Sequence, residues 1–294
     1  MSLPAYLTTA EVAAYLRLKE RKVYDLVSQG VIPCVKVTGK LLFPRQRIDL
    51  WLMNHLEGDH ASHTPVPLVV AGSQDPLLEW AIKESDADLA LLCQGSGDGV
   101  QRLLRGQAML AGMHLWHPHS QRYNDPMELG MSGVRDLVMI RWARRWQGLL
   151  LAPDNPRQLQ RFEDITQPQV RVARRQPDAG ASHLLHGLIQ RHGIDEKRVN
   201  WVANPALSED DLALMIQQGD ADTGLGIEAA ARRQSLNFIA LHEECFDLAM
   251  HRRHYFEPPV QKLLAFAQSE RFIQRARALG GYNISELGSV VYNA

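Results

Sequence analysis

Four turns in the second part of the sequence carry residues that could bind a small polar ligand. They span residues 71–76, 94–99, 174–182 and 219–226, and each follows a segment with the pattern of a buried strand. A turn that opens into a helix presents unpaired backbone N–H groups, which favour an anion or another acceptor. Small hydroxyl side chains in these turns add neutral donors: Ser73, Ser96, Ser182 and Thr223. If the strands share one sheet, the turns converge on a cleft at its carboxyl ends.

A second set of chemically active residues consists of cations crowded near the N-terminus. Residues 1–56 carry a net charge of +4, whereas the remainder of the chain carries −5. Lys and Arg neutralise phosphates and release counterions, so this distribution predicts that only the N-terminal segment meets a polyanion such as DNA. We expect the DNA-binding residues to be Thr9, Lys19, Arg21, Lys22, Tyr24, Lys36, Lys40 and Arg45.

Signatures of catalysis are missing from the same turns. The residues around Ser96 do not have the spacing of a nucleophile elbow, and no Gly-Lys-Ser/Thr follows them as in a phosphate loop. The segment "GLGIEA" lacks the third glycine of a dinucleotide fingerprint. The histidines of "HLWHPH" are close together, but the proline and the lack of a fourth ligand argue against a metal site. The sequence therefore indicates no enzyme activity, no catalytic residue and no metal.

Length and composition are those of an ordinary globular protein. The 294 residues suffice for two domains, and 45% of them are hydrophobic and 22% charged. No apolar run approaches the roughly 20 residues that a membrane span needs, and no secretion-signal pattern is present. The scattered cysteines Cys34, Cys93 and Cys245 indicate reduced thiols. We therefore expect a cytoplasmic protein without membrane contact.

The N-terminal segment predicts two short helices, a β-wing and a third helix. Apolar residues recur at helical spacing after Thr8 or Thr9, and a second helix runs through residues 18–30. Residues 32–44 alternate and turn at 38–40, which predicts a hairpin, and residues 45–56 return to a helical pattern.

The remainder of the chain predicts α/β layers. Residues 57–67 lack apolar periodicity and have prolines on both sides of Val66, which predicts a linker at 57–66 between a DNA-binding domain at 1–56 and a ligand-binding domain at 67–294. In the second domain strand and helix patterns alternate, and "NPRQLQRFEDI" (155–165) predicts a helix.

The N-terminal motifs resemble the winged helix-turn-helix of the excisionase/MerR-like DNA-binding family. The matching stretches are "LTTAEVAAYL", "KVYDLVSQGVIP" and "LLFPRQRIDLWL", within about residues 6–56. The resemblance implies that the second helix enters the major groove of double-stranded DNA. Leu41-Leu42 stands where the family usually has a polar or basic residue.

The second domain resembles the type 2 periplasmic-binding-protein-like domain, in the cytoplasmic branch that is fused to helix-turn-helix heads and appended to molybdopterin-biosynthesis enzymes. The matching stretches are "QGSGDGVQRLLRGQAMLAGMHL", "RRWQGLLL", "NPRQLQRFEDI", "DADTGLGIEAAA" and "LNFIALHEECFDLAM". The resemblance implies two α/β lobes joined by two crossover strands, with a ligand clamped between them. Lobe 1 would hold residues 67–147 and 237–294, and lobe 2 residues 148–236.

Related molybdate- and tungstate-binding proteins surround their oxyanion with hydroxyls, backbone N–H groups and sometimes an Arg. The resemblance therefore implies ligand-binding roles for Ser73, Ser96, Arg175, Gly180, Ala181, Ser182, and Thr223 or Gly224. Arg145, which precedes "QGL", could reach the cleft from the hinge and is a further candidate. Where the family has Gly-Ser-Gly-Thr-Arg, residues 178–182 read Asp-Ala-Gly-Ala-Ser, so an Arg is missing and an acid is gained. The acidic residues Glu243, Glu244 and Asp247 could lie at the edge of the cleft, but they are expected on a solvated helix end.

These patterns predict a ligand-responsive transcriptional regulator that binds double-stranded DNA as a homodimer or higher homo-oligomer. Its expected ligand is a small oxyanion such as molybdate or tungstate, or a molybdopterin-type molecule, with no covalent cofactor. Three alternatives stay open: an architectural excisionase-like DNA-binding protein without a ligand, a regulator of an organic metabolite, and an enzyme of cofactor biosynthesis that also touches DNA.

Overall fold

The computed structural model describes residues 5–37, 39–54, 65–118, 120–131 and 133–294. The chain divides into two compact units, the first comprising Met1–Pro65 and Gly130–Arg135, the second Val66–Leu129 and Asp136–Ala294. Most of the predicted linker, residues 57–64, lies outside the described residues, so the predicted boundary at 56 stays a prediction.

The first unit has the order of elements expected of a winged helix-turn-helix. Its elements are β1 (Tyr6–Leu7), α1 (Thr9–Tyr15), α2 (Glu20–Ser28), β2 (Val35–Val37), β3 (Lys40–Pro44) and α3 (Arg45–Asn54). Thr8 caps α1: its hydroxyl accepts the N–H of Glu11 at 3.3 Å, and the Glu11 carboxylate accepts the Thr8 N–H at 2.7 Å. The hairpin of β2 and β3 gains a third strand, β1, which the sequence did not predict.

The core of the first unit takes apolar side chains from each of its main elements. Val12 of α1, Val23 of α2, Phe43 of β3 and Ile48 of α3 are all fully buried. Because their apolar faces point into this shared core, the polar faces of the short helices are left for other contacts.

The second unit begins with β4 (Val69–Gly72), α4 (Pro76–Glu84), β5 (Ala90–Leu92), α5 (Ser96–Leu104), β6 (Leu110–Met113), β7 (Trp116–His117), β8 (Arg122–Tyr123), β9 (Leu137–Leu151), β10 (Arg171–Ala173) and α6 (Gly180–Arg191). It continues with β11 (Asn200–Trp201), α7 (Glu209–Gln217), β12 (Thr223–Ile227), α8 (Glu228–Arg233), β13 (Asn237–His251), α9 (Arg252–Tyr255), α10 (Pro258–Ala267), α11 (Glu270–Leu279), β14 (Tyr282–Asn283) and β15 (Val290–Asn293). None of the helices in the described ranges has the length and apolar content that a membrane crossing requires.

Two long strands join the two lobes of the second unit. The sheet order is β11-β10-β12-β9-β13-β6-β4-β5, and β9 and β13 pair antiparallel with each other. The end of β9, residues 147–151, pairs with β12 of lobe 2, whereas residues 247–250 of β13 pair with β6 of lobe 1. The predicted two-lobed α/β fold with two crossover strands is therefore confirmed.

The predicted helix at 155–165 is wrong. Helical structure there is limited to a single 3₁₀ segment, Phe162–Thr166. The side chain of Asn155 accepts the backbone N–H of Leu159 at 3.1 Å and donates to the Leu159 carbonyl at 2.9 Å. This local bonding competes with helical pairing, as is common for asparagine in loops.

Candidate functional site

Three strands of lobe 1 end at one edge of the sheet, because β4, β5 and β6 run parallel. Ser73 follows β4, Ser96 opens α5 beyond β5, and His114 follows β6. Ser96 is fully buried, and its Oγ accepts the backbone N–H of His114 at 3.2 Å. The predicted turns at 71–76 and 94–99 therefore meet around His114.

The first turn of α6 brings lobe 2 to the same place. A Cβ atom on Gly180 would lie 2.5 Å from the carbonyl oxygen of His114, so this approach requires glycine. A Cβ atom on Gly95 would lie 2.9 Å from the carbonyl oxygen of Asp178. The predicted turn at 174–182 thus contacts the two turns of lobe 1, and the lobes meet beside His114.

His114 lies in a hydrogen-bonded chain with a serine and a glutamate, which we call the relay (Ser73, His114 and Glu244). The Ser73 Oγ is 2.8 Å from His114 Nε2, and His114 Nδ1 is 2.6 Å from Glu244 Oε2. Ser73 is half-buried, whereas His114 and Glu244 are buried. A hydroxyl, an imidazole and a carboxylate in this order also form hydrolytic triads. Sequence reasoning found no such trio, because its members lie far apart in the chain.

Arg145 lies on the crossover strand β9, but two carboxylates already take up its charge. It is almost fully buried and pairs with Asp75 at 2.8 Å and with the Glu244 carboxylate. Its guanidinium also lies 4.4 Å from the ring centre of Phe246. Arg145 thus supports the relay through Glu244 and is not an uncommitted cation for a ligand.

Asp75 holds the other side of Arg145 in place. As the N-cap of α4 it accepts the N–H of Leu78 at 2.6 Å, and it also accepts the Trp142 indole N–H at 3.1 Å and the Tyr282 hydroxyl at 2.7 Å. A buried carboxylate with several donors is rigidly placed. This arrangement fixes Arg145, and through it Glu244.

The electrostatics keep Glu244 ionised. Burial alone would raise the pKa of Glu244, but the charges and hydrogen bonds of Arg145 and His114 outweigh it and lower the pKa to about 2. Burial opposes the charge of Arg145 too, yet Glu244 and Asp75 raise its pKa. The relay therefore ends on a carboxylate anion.

Several polar atoms near Glu244 are buried without a hydrogen-bond partner among the described residues, and those of Gln147 and Tyr123 are two examples. Gln147 donates its Nε2 to Glu244 Oε2 at 3.1 Å, but its Oε1 has no partner. The hydroxyl of Tyr123 is also unpartnered, and burial together with the charge of Glu244 raises its pKa. Buried polar atoms without partners are uncommon in proteins, which favours a bound molecule or water beside them.

Arg175 is not available to a ligand in the way the resemblance implied. Its NH1 lies 2.6 Å from Glu209 Oε1, its Nε donates to the carbonyl of Ala206 at 3.2 Å and its NH2 to that of Leu207 at 3.3 Å. It therefore pairs with Glu209 of α7, so most of its charge is already compensated.

A cavity of about 480 Å³ opens beside the first turns of α6. Its polar lining includes Arg174, Arg175, Ser182, His183, His186 and Gln190. Arg174 is exposed and also lies over the Trp201 ring at 5.5 Å, while Ser182 is buried. Gly180 and Ala181 are buried in the same helical turn. The cavity is therefore basic on one side and adjoins the turn that meets His114.

The fourth predicted turn does not join the others. Thr223 is the first residue of β12, is fully buried, and donates its hydroxyl to the carbonyl of Leu150 at 2.9 Å. Gly224 faces α7, since a Cβ atom there would lie 2.9 Å from Leu212. The ligand roles predicted for Thr223 and Gly224 are wrong because the strand begins there, at the end opposite its carboxyl edge, and the hydroxyl is already bonded.

A second buried carboxylate on β13 forms a separate network with lobe 1. Asp247 pairs with Arg141 Nε at 2.8 Å and accepts the Asn124 amide at 2.7 Å. Burial raises the pKa of Asp247 to about 6, although Arg141 opposes this shift. Because Glu244 and Asp247 lie within a buried strand, their expected place on a solvated helix end is wrong.

Sequence reasoning did not assign His114, Glu244 or Asp75 to the ligand site, although it considered the cleft edge as an alternative place for Glu244. The signal that could have found Glu244 is the alternation along β13, where His242, Glu244 and Phe246 share one face. Arg145 and Gln147 of β9 lie on the same face, since Glu244 pairs with Arg145 and His242 pairs with Gln147 in the strand register.

The predicted DNA-binding residues form an exposed surface on the first unit. Arg21, Lys22 and Tyr24 lie on α2, with Lys19 at its N-cap, and all are exposed. The wing adds the exposed side chains of Lys36 and Lys40. Thr9 and Arg45 are half-buried, and Arg45 lies 3.9 Å from Asp49, which partly compensates its charge. The DNA-binding assignment of these residues stays a prediction.

Within the described ranges, no group of three or more His, Cys, Asp or Glu side chains could hold a metal ion. Of the histidines in "HLWHPH", His114 belongs to the relay, and His117 lies on β7. His119 lies outside the described residues.

Comparisons with known proteins match both units. A family model described as a PBP superfamily domain matches residues 79–268, and one described as a helix-turn-helix domain matches residues 6–55. The Bacillus subtilis (strain 168) protein YvgK, named as uncharacterized, is 22% identical over 300 residues, which cover 97% of each chain. A Clostridium pasteurianum protein encoded in the 5′ region of a ferredoxin 2Fe-2S gene is 28% identical over 109 residues, 37% of this chain and 96% of that one.

Two solved structures support the fold alone. The sulfate-binding protein SubI of Mycobacterium tuberculosis H37Rv has a TM-score of 0.51 at 12% identity, over 73% of this chain and 85% of its own. A hydrogen peroxide-bound cysteine-to-serine mutant of Corynebacterium glutamicum OxyR has a TM-score of 0.50 at 16% identity, over 92% of this chain and 89% of its own.

Proposed function

Because the chain belongs to the PBP superfamily and carries a helix-turn-helix domain, we propose that this ligand-responsive DNA-binding regulator senses an anionic small molecule held between the lobes of its second unit. The observation that carries the proposal is the meeting of three turns around His114. Ser73 and Ser96 come from lobe 1 and Gly180 from lobe 2, so a ligand here would contact both lobes.

The charge at this point comes from helix ends and not from a free arginine. α5, of nine residues, and α6, of twelve, both begin here, and helix N-termini favour anions through their dipoles and unpaired N–H groups. Arg145 and Arg175 are each compensated by carboxylates. We therefore propose that backbone N–H groups and the hydroxyls of Ser73 and Ser96 bind an oxyanion or the acidic group of a larger molecule.

The neighbouring cavity favours a ligand larger than a four-oxygen anion. A volume of about 480 Å³ is in the range of sites for organic ligands. The exposed Arg174, His183 and His186 beside it suit a second acidic or polar group. We propose a molybdenum-cofactor-related molecule first and a bare oxyanion such as molybdate or tungstate second. The similar fold of SubI, a sulfate-binding protein, adds support for an oxyanion group.

Thermal unfolding of the full chain with molybdate, tungstate, sulfate, phosphate and molybdopterin tests the ligand. We expect at least one of these to raise the melting temperature, because a ligand that binds only the folded state stabilises it. A variant with Ser73→Ala and Ser96→Ala should lose that response, and Thr223→Val, whose hydroxyl bonds only the Leu150 carbonyl, should keep it. No response to any compound would contradict the proposal and favour an architectural DNA-binding protein.

We also propose that α2 is the DNA-recognition helix. Two copies of the chain would bind a two-fold symmetric DNA site, because one helix-turn-helix domain alone makes few base contacts. Binding DNA would make the cytoplasm its place of action.

Replacing Arg21 or Lys22 by Ala should weaken binding to double-stranded DNA by about tenfold and leave the melting temperature unchanged. Lys197→Ala, an exposed cation of the second unit, serves as the matched control. Unchanged DNA binding in both α2 variants would contradict this assignment.

A further inference from the structure

A second cavity, of about 270 Å³, lies in lobe 1 on the far side of β13 from the relay. Its lining residues come from the segment 122–126 and from the strands β9, β13 and β15. Cys245 and Asp247 of β13 line it, and they alternate along the strand with Glu244, so their side chains point to the opposite face. The cavity is therefore separate from the cleft in which the relay lies.

Arg141 of β9 supplies this cavity with a buried cation that has unused hydrogen-bonding capacity. Its side chain lines the cavity, it is only 8% exposed, and its Nε pairs with Asp247 at 2.8 Å. Its NH1 nitrogen is buried and has no hydrogen-bond partner among the described residues. A guanidinium has five N–H donors, and a buried donor without a partner costs free energy. The arrangement therefore favours an acceptor that Arg141 binds from the cavity.

The carboxylates at this cavity already have donors from the protein, whereas a second cation has no ionic partner. Asp247 accepts the Asn124 amide at 2.7 Å in addition to its ion pair, and Asp125 accepts the Met127 N–H at 3.0 Å. Arg122 also lines the cavity, is exposed, and forms no ion pair with any described residue. The cavity therefore suits an acceptor that carries negative charge.

The remaining walls indicate the chemical class of this acceptor. Pro126, Met139 and Val291 present apolar surface, which favours an alkyl group over a hydrated inorganic ion. The volume lies just below the roughly 300 to 1,000 Å³ of sites for drug-sized ligands, so the molecule must be small. A planar carboxylate matches the N–H groups of a guanidinium.

We propose that this cavity is a second ligand site, which binds a small aliphatic carboxylic acid with its carboxylate on Arg141 and its alkyl part against Met139 and Val291. The inference does not depend on which ligand the cleft binds, because no residue of the relay lines this cavity.

Cys245 reports whether the cavity is occupied, because its side chain lines it. The full chain is treated at pH 8 with iodoacetamide, an uncharged reagent, with and without sodium propionate, and peptide mass spectrometry follows the alkylation of each cysteine. At about ten times its dissociation constant, propionate should slow the alkylation of Cys245 about tenfold. Cys34 is the internal control, because it is also half-buried and belongs to the first unit, so its rate should not change.

Two other compounds test the chemical class with the same measurement. Propionamide has the same alkyl group but no carboxylate, and sodium sulfate is an anion without an alkyl group. Neither should protect Cys245 at the concentration at which propionate does.

A matched pair of variants locates the site. Val291→Phe places a larger side chain on the cavity wall and leaves the Arg141 ion pair intact, so it should abolish the rise in melting temperature that propionate causes in the wild type. Val290→Phe should keep that rise, because Val290 is 60% exposed and does not line the cavity. Arg141→Lys retains a cation for Asp247 but loses the planar fork, and should weaken propionate binding about tenfold.

Three outcomes would overturn the inference: alkylation of Cys245 at the same rate with and without propionate, equal protection by propionamide or sulfate, or an unchanged response to propionate in Val291→Phe. If Val291→Phe does not fold, an unchanged response in Arg141→Lys contradicts the inference instead. The thermal unfolding panel judges the proposed function separately, since its compounds are assigned to the cleft.

Discussion

Two buried carboxylates on the same strand, Glu244 and Asp247, have pKa values that are shifted in opposite directions. Burial favours the neutral form of both, yet the pKa of Glu244 is lowered to about 2 and that of Asp247 is raised to about 6. Glu244 receives Arg145, His114 and the Gln147 amide, whereas Asp247 receives Arg141 and the Asn124 amide.

The difference shows that burial alone does not decide the charge of a carboxylate. The balance of desolvation against nearby cations does. At Glu244 the effect of Arg145 and His114 is larger than that of desolvation, so Glu244 is an anion that can orient His114. At Asp247 the effect of desolvation is larger than that of Arg141, so the pKa is raised to about 6. Asp247 bonds Arg141 and Asn124 and so has a structural role in lobe 1. The candidate site therefore lies beside Glu244, the carboxylate whose charge is better compensated by neighbouring groups.

Glu244→Gln should give the largest effect. The lowered pKa means that Glu244 stabilises the fold above its unfolded value of about 4.5 and loses this contribution as the pH falls toward 2. We expect a loss of about 3 to 5 kcal/mol in the free energy of unfolding at pH 7, because the variant removes the buried carboxylate that pairs with Arg145 and with His114. Urea unfolding at pH 7 and pH 3 measures it. A difference from wild type that does not shrink at pH 3 would contradict the assigned shift.

Asp247→Asn should have a smaller effect of opposite pH dependence. Its pKa is raised from 3.8 to about 6, so ionisation destabilises the folded state as the pH rises through this interval. Relative to the variant, the wild type should therefore lose up to about 3 kcal/mol between pH 4 and pH 7. Urea unfolding across this range measures it. A constant difference between the two proteins would mean that Arg141 fully compensates Asp247.

Gln147→Met should have the smallest effect on stability. It removes the hydrogen bond to Glu244 and also a buried Oε1 that has no partner among the described residues, and these two changes oppose each other. We expect a change below about 1 kcal/mol in the free energy of unfolding, measured by the same urea titration at pH 7. A loss as large as that of Glu244→Gln would show that Gln147 is as important to the carboxylate as Arg145.

The fold was largely predictable because its signals are local or belong to a family pattern. The cap at Thr8, the alternation of the wing and the apolar strands of lobe 1 each lie within a few consecutive residues. The helix at 155–165 was wrongly predicted by these means, because the Asn155 side chain bonds the backbone of Leu159 and displaces helical pairing.

The candidate site was predictable only in part. Ser73, Ser96 and Gly180 could be found because they follow strands or open helices, which a sequence displays. Their partner Glu244 could not, since its contact with His114 depends on the pairing of β13 with β9 and β6. Arg175 and Thr223 have the right residue types but are bonded to Glu209 and to the Leu150 carbonyl, and only the packed structure reveals that use.

Native mass spectrometry of the purified full chain, with elemental analysis of what remains bound, tests the central claim most directly. We expect a retained anionic small molecule in the wild type and in Thr223→Val, and its loss in the variant with Ser73→Ala and Ser96→Ala. The same bound mass in all three proteins would contradict a ligand site beside His114. So would a wild-type protein that carries no bound molecule and binds none of the compounds of the ligand panel when they are added.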